Sequence, residues 1–465
     1  MILSSARETR TSSDFRRLDK SIPKTVVSLF SGCGGLDLGF KESGFELLYA
    51  CDSDPKAVSV YSRNIDEQVY LRDVKSAEFQ ADVAAVRRCD VVLGGFPCQG
   101  FSKAGPKRPN DERNALYLEM LYAVERLQPS IFIAENVDGI SQNFNGAYVK
   151  KITSDFAKLG YQVDHHILDA IQFGLPQYRR RVLFVGVKSL LHADFVWPTP
   201  THEALTRNGD FKVRTDLPLL SPLLGGRQRL QRPQRICDAI PDLLSLDSRI
   251  PDHLVTYSWP DKYESIFKAI RQGQKLCNVR HARSSVYTWN IPEVFGAVTD
   301  QDRVLLETIA KHRRHKKYGN IPNGNPLPCD EIERLSGLVD IERDLGRLVG
   351  QGYLKTVKGG YDLRGAQFCS GLFKRPSWDE PSPTVLTNFH NPRYFLHPLE
   401  DRPFSLRECA RLQGFPDCFV FTHSSGDVDL VSGYRLIGNA VPPPVSRVLA
   451  DATSRYLNQF TMTAG

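Results

Sequence analysis

Three short stretches place reactive side chains where the backbone is forced to turn. In Gly94-Gly95-Phe96-Pro97-Cys98-Gln99-Gly100-Phe101-Ser102 a thiol follows an apolar run, Val91 to Leu93, with four residues between. A buried structural cysteine usually lies inside such a run. One held in a Gly/Pro loop at a strand's end suits a nucleophile. Ile131-Phe132-Ile133-Ala134-Glu135-Asn136-Val137 ends a second apolar run with a carboxylate. A glutamate there is ordinarily solvated, but facing the pocket of Cys98 it becomes a candidate acid. Phe30-Ser31-Gly32-Cys33-Gly34-Gly35 lies between a strand and a helix, and Asp52 follows some 17 residues on. Glycines there permit a tight turn and close approach to a ligand, and a carboxylate after the second strand can hold ribose hydroxyls. That pair suggests a nucleoside cofactor. The absence of G-K-[ST] excludes a phosphate-cradling P-loop.

These residues need a sheet to bring them together. Thr25–Phe30, Glu46–Ala50, Val91–Gly94, Ile131–Ala134 and Val182–Val187 read as strands, with helical spacing over Leu116–Leu127. Buried strands alternating with helices predict a doubly wound, Rossmann-like α/β sheet, whose ligands gather at the strands' carboxyl ends. Residues 1–22 read as a polar tail and 23–188 as the catalytic and cofactor-binding domain. Over Leu190 to Pro260 the pattern turns irregular and rich in Pro, Leu and Arg, and 189–401 reads as a smaller second domain, the target-recognition domain. Within it, 300–365 shows three helical stretches and a hairpin around Lys358-Gly359-Gly360. This reads as a winged helix-turn-helix, the alternative being a helical insert packed on the main body. Residues 402–428 read as the end of this region and a hinge, and 429–465 as a return to the first domain.

The chain of 465 residues carries a net charge of +7. That balance is compatible with a polyanionic partner without requiring one. Basic residues cluster at 179–181, 227–235 and 311–317. No apolar run approaches a membrane span, and the start lacks the apolar core of a secretory signal, so a cytoplasmic, nucleoid-associated protein is expected. The ten cysteines form no C-x-x-C pair and no zinc-ligand spacing, so no metal is expected.

The ordered set F-S-G-C-G-G, G-F-P-C-Q-G-F-S, E-N-V and Gln177-Tyr178-Arg179-Arg180-Arg181 continues with Arg407-Glu408-Cys409-Ala410-Arg411-Leu412-Gln413-Gly414-Phe415-Pro416 and Gly438-Asn439-Ala440-Val441-Pro442. Together they resemble the DNA (cytosine-5)-methyltransferases of bacterial restriction-modification systems, over 27–187 and about 380–450. The resemblance implies S-adenosyl-L-methionine as cofactor and double-stranded DNA as substrate. It implies Cys98 as nucleophile, Glu135 as the group binding cytosine at nitrogen 3, and Arg179 and Arg181 around the flipped base. Phe30, Ser31, Gly32, Cys33, Gly35, Asp52, Ser53, Asp73, Val74, Gly95, Pro97, Leu116, Asn439 and Val441 match the cofactor pocket. Ser53 stands where the family often has an adenine-stacking aromatic, leaving the stacking partner open. The variable region, about 188–401, is the family's target-recognition region.

Carbon 5 of cytosine is a poor nucleophile, and a thiolate added at carbon 6 makes it an enamine that can attack a methyl sulfonium. A free thiol has a pKa of ~8.5, so nearby positive charge, from Arg179 or Arg181, must favour the thiolate. To donate at nitrogen 3, Glu135 must be protonated, which predicts a raised pKa in a water-poor pocket. The base must leave the stack, and the polar loop Gly100 to Arg113 is the candidate lid. Gln99, Ser102, Lys103, Arg113, Arg280, Arg283 and Arg393 are candidate DNA contacts, with Asn388 and His390 as further base readers. A monomer is expected, with a cognate restriction endonuclease acting separately. The alternatives are a tRNA cytosine-5-methyltransferase and a catalytically silent DNA-binding regulator.

Overall fold

The computed structural model describes residues 23–97, 116–142, 146–191, 194–204, 230–255, 258–321, 324–357, 359–364, 371–422 and 428–461. The first elements are β1 (Thr25–Leu29), α1 (Gly35–Glu42), β2 (Glu46–Asp52), α2 (Pro55–Asn64), β3 (Val69–Leu71), α3 (Ala77–Ala85), β4 (Val91–Gly94) and α4 (Tyr117–Leu127). There follow β5 (Ile131–Val137), α5 (Gly139–Gln142), α6 (Ala147–Lys158), β6 (Tyr161–Asp169) and β7 (Arg180–Lys188). Their sheet has the order β3-β2-β1-β4-β5-β7-β6. Neighbours from β3 to β5 run parallel, whereas β7 is antiparallel to both β5 and β6. The expected Rossmann-like α/β sheet is present, with an antiparallel edge that strand periodicity alone does not predict.

Local chemistry starts the helices. Asp54 accepts from the Lys56 N–H ahead of α2, where Pro55 fits the first turn. Ser76 accepts from the Phe79 N–H ahead of α3. Strand parity then separates two buried faces. Val26, Val91, Leu93, Ile131 and Ile133 point into one apolar cluster. Val27, Leu29, Val92, Phe132 and Ala134 point into another, built with α3, α4 and α6.

The second half begins with α7 (Ile236–Ala239), α8 (Lys262–Ala269), β8 (Gln274–Leu276), β9 (Ser285–Val286) and α9 (Pro292–Phe295). It continues through α10 (Asp300–His312), α11 (Cys329–Ser336), α12 (Glu342–Gly350), β10 (Leu354–Val357), β11 (Gly360–Leu363) and β12 (Leu372–Arg375). The final helices are α13 (Leu406–Leu412), α14 (Leu430–Asn439) and α15 (Pro443–Thr461). A three-stranded sheet, β12-β8-β9, has its own apolar cluster around Phe267, Leu276 and Phe373. The three helices α10–α12 and the hairpin β10-β11 enclose another, around Leu305, Ile309, Ile332, Leu345 and Leu354. Phe404, Leu406, Phe415 and Phe421, from the stretch read as a hinge, pack into the first face of the main sheet together with Tyr434, Ile437 and Leu449.

Candidate active site

The carboxyl ends of β1, β2, β4 and β5 bring the glycine loop, Asp52, Gly95 and Glu135 to one edge, and the order reverses between β1 and β4. Crevices of open α/β sheets form at such a switch point. Leaving β1, Phe30 and Gly32 both take left-handed backbone, with φ of 54° and 56°. For phenylalanine that conformation is strained, on the order of 1–3 kcal/mol. Asp52 holds the turn: its Oδ2 accepts from the Gly32 N–H at 2.8 Å and its Oδ1 from the Asp54 N–H at 2.9 Å. Burial raises the Asp52 carboxyl above its usual range, against the pull of those two bonds. A Cβ on Gly32 would meet nothing within 4 Å, and one on Gly95 would have only Phe30 O at 3.7 Å and Glu135 Oε2 at 3.9 Å. Among the described residues the edge is therefore an open cradle between β1 and β4.

Glu135 closes one side. Arg181 Nε lies 2.7 Å from its Oε1, and both side chains are largely buried. Burial pushes the Glu135 carboxyl up, while Arg181 and then Arg179 pull it down, and the net direction is upward. That is the direction a neutral hydrogen-bond donor needs at working pH. Sequence reasoning assigns no role to the next residue. Asn136 is buried, and its Nδ2 donates to Phe96 O at 3.0 Å. It thereby ties the E-N-V strand to the loop that runs into Cys98.

Several expected pocket residues bond to or pack against segments of the second half of the chain. Arg179 is 1% exposed and donates through Nη1 to Val385 O and through Nη2 to Gly438 O and Ala440 O. Its two terminal nitrogens are taken by backbone carbonyls, while its Nε is buried without a hydrogen-bond partner among the described residues and its charge still acts on Glu135. Gln177 joins it, donating to Leu412 O and Gln413 Oε1 and accepting from the Val385 N–H. Cys33 is buried with its Sγ 3.8 Å from Leu436 O, its thiol pushed up to about 12 by burial. Its side chain therefore faces α14, away from the cradle. A Cβ on Gly35 would stand 2.3 Å from Val441 O, so this glycine serves the contact between α1 and the 440–441 turn. In the R-E-C-A-R-L run, Arg407 donates to Pro251 O and Phe419 O, and Glu408 accepts from the Ser405 N–H and pairs with Arg402. These two motif residues are staples as well. Their signal in the sequence is only a motif, because Arg407 reaches a carbonyl far along the chain.

Ser53, Asp73 and Asn439 are exposed, Pro97 and Leu116 half-buried, and Val74 and Val441 buried. Arg280, Arg283 and Arg393 are exposed. Cys98, Gln99, Ser102, Lys103 and Arg113, with the rest of the loop Gly100 to Arg113, lie outside the described residues. Among the described residues, no helix is long and apolar enough to cross a membrane.

Comparison with known proteins agrees with this chemistry. The chain is 31% identical over 435 residues to the Type II methyltransferase M.AgeI of Thalassovita gelatinovora, covering 92% of this chain and 98% of that one. It is 29% identical over 420 residues to the Type II methyltransferase M.NgoFVII of Neisseria gonorrhoeae, covering 90% and 83%. A solved structure from E. coli, assigned as a DNA modification methyltransferase encoded within a prophage, superposes with a TM-score of 0.51 at 24% identity, over 94% of this chain and 99% of that one. The likeness to it is one of fold. The family model for C-5 cytosine-specific DNA methylases matches residues 24–455. The chain thus belongs to the C-5 cytosine-specific DNA methylase family and is a DNA cytosine-5-methyltransferase.

Proposed function

We propose that the chain methylates a cytosine flipped out of a specific duplex sequence, through a covalent bond from Cys98, with Glu135 as the acid at ring nitrogen 3. The observation that carries this reading is the clamp of Asn136 on Phe96. It fixes the entry to the Cys98 loop against the strand that bears Glu135. Attack of the Cys98 thiolate on carbon 6 forms a carbon–sulfur bond and moves electron density toward carbon 5 and nitrogen 3. Glu135, whose carboxyl is raised by burial, donates at nitrogen 3, and Arg181 steadies the carboxylate that results. After carbon 5 is methylated, loss of its proton expels Cys98 and restores the ring.

The cradle fits S-adenosyl-L-methionine. A carboxylate at the end of β2 locks a glycine turn, and the space above Gly95 is open toward Glu135. Asp52 would hold the ribose hydroxyls, with Phe30, Val74, Pro97 and Leu116 around the base. When bound, the cofactor supplies an electrophilic methyl group.

Residues 189–401 serve as the target-recognition region, and 300–365 as a winged helix-turn-helix within it. The order α10, an antiparallel bridge at Leu327 to Tyr361, α11, α12, β10, β11 supports this assignment. The chain acts in the cytoplasm, at the nucleoid, as the modification partner of a separate restriction endonuclease.

The test is transfer of labelled methyl groups to unmethylated genomic DNA, with tRNA in parallel, for wild type and Cys98→Ala. Bisulfite sequencing then locates the product. Label on DNA at one short motif, lost in the variant, supports the reading. Label on tRNA alone, or none on either, refutes it.

A further inference from the structure

Winged helix-turn-helix units that read DNA place the second helix of the turn in the major groove. Here that helix is α12, and the charge around it is wrong for a polyanion. Residues 329–350 carry six carboxylates, at 330, 331, 333, 340, 342 and 344, against three arginines at 334, 343 and 347. Asp330, Asp340 and Glu342 are exposed. Arg347 is already committed to Asp302 and Asp344, and Arg334 to Glu331.

The opposite charge gathers elsewhere on the same unit. Residues 311–317 carry five lysines and arginines, two histidines and no carboxylate. Basic residues in the last turn of a helix complement its dipole, which accounts for Lys311 and His312 but not for the cations from Arg313 to Lys317. Arg313 is the buried anchor of this end. It forms a two-pronged pair with Asp362 at 2.7 and 2.9 Å and donates to Val279 O at 3.2 Å. The bond to Val279 draws the loop between β8 and β9 against the end of α10. Arg280 is thereby set beside Arg314, whose pKa is lowered by desolvation and then by repulsion from Arg280. Lys317 pairs with Glu331, a carboxylate it shares with Arg334. Among the described residues no carboxylate pairs with Lys311, Arg314, Lys316, Arg280 or Arg283, and all five are exposed. Two segments distant in the chain thus present unneutralised cations on one surface, held together by one buried arginine.

We infer that the end of α10 and the β8–β9 loop form a phosphate-binding surface for duplex DNA flanking the methylated sequence, and that the acidic turn-helix face of the insert does not enter a groove. The inference rests on the DNA methyltransferase reading and adds a second DNA-binding surface to it. This surface engages the backbone, so it extends the footprint without reading bases.

The test uses the full chain with Lys311→Gln, Arg314→Gln and Lys316→Gln combined, and a second variant with Glu333→Gln and Glu342→Gln. Binding is measured against salt on two duplexes, both carrying the sequence located by bisulfite mapping, one with long flanks and one trimmed to that sequence. The first variant is expected to lower the salt slope on the flanked duplex by about 1 for each phosphate it no longer engages, about 3 in all. The drop on the trimmed duplex is expected to be smaller. An unchanged slope on the flanked duplex overturns the inference, and so does an equal drop on both. The second variant is expected to bind the flanked duplex as wild type does, and weaker binding would give DNA to the turn-helix face and overturn it. A wild type that fails to methylate DNA is a failure of the underlying reading and shows before either comparison.

Discussion

Replacing Asn136 with alanine isolates the clamp on the Cys98 loop. The bond from Asn136 Nδ2 to Phe96 O is 3.0 Å long and buried. Its removal leaves the Phe96 carbonyl without that donor in a place water reaches poorly, which costs about 1–3 kcal/mol. Phe96 is packed at 3% exposure, so it would stay near its position but lose its tie to the strand that bears Glu135. If that energy falls on the attacking geometry, the single-turnover rate drops by a factor of about 5 to 150. The assay is single-turnover methylation at saturating DNA and cofactor, with a urea unfolding curve alongside. The expected pattern is a large drop in the rate and a modest change in KM for DNA. If Asn136→Ala loses stability by the full amount yet turns over at the wild-type rate, Asn136 is only a core residue and the reasoning fails.

Glu135→Gln keeps the shape but cannot deliver a proton, so kcat should fall about 10²- to 10⁴-fold while DNA binding persists; a variant within a few fold of wild type would remove Glu135 as the acid. Asp37 is fully buried beneath the glycine loop, receiving a bond from Ser28 Oγ at 2.7 Å, and burial raises its pKa to about 6. The folded state holds this proton longer than the unfolded chain, so the stabilising contribution is complete below the ordinary aspartate range and is lost as pH rises through about 6. The shift of about 2 units corresponds to roughly 3 kcal/mol. Asp37→Asn should therefore flatten the stability curve over that window and raise Tm at pH 8, and an unchanged curve would contradict it. Gly35→Ala pushes a methyl group into Val441 O, and overpacking against backbone should cost about 1–3 kcal/mol or more, read as a lower Tm with weakened cofactor binding; an unaltered Tm would show that the two segments part freely.

The parts of the fold that are legible in the sequence share one property. β1, β4, β5 and β7 are buried on both faces and read as continuous apolar runs. β6 is an edge strand whose middle holds Gln162, Asp164, His165 and His166, so it lacks that signature. β3 is three residues long with two of them exposed. The site divides in the same way. Asp52 and Glu135 are legible because each ends a recognisable strand. Arg179, Cys33 and Gly35 are assigned to the pocket because their motifs touch it, but a motif does not say which side of a turn its side chains take. Arg179 bonds carbonyls more than 200 positions away, and Asn136 matters through a carbonyl 40 positions earlier. Neither separation has a signature in local periodicity.

The contact of α1 with α15 sets an order of events during synthesis. A Cβ on Gly39 would stand 2.4 Å from the Arg447 backbone nitrogen, and Gly35 rests on Val441 in the same way. The surface that seats the glycine loop is made some 400 residues after the loop itself. At 5–20 residues per second, the rate of bacterial and eukaryotic elongation taken together, that interval is roughly 20–80 seconds. Until then the side of α1 that faces α15 has no partner, while the second half of the chain, which has smaller apolar clusters of its own, is being made. A nascent chain stalled before Val441 would thus carry every described strand of the main sheet and still lack a seated glycine loop. Such a chain should hold chaperones for longer than its strand content alone would suggest, and methylation competence should arrive abruptly with the final helices.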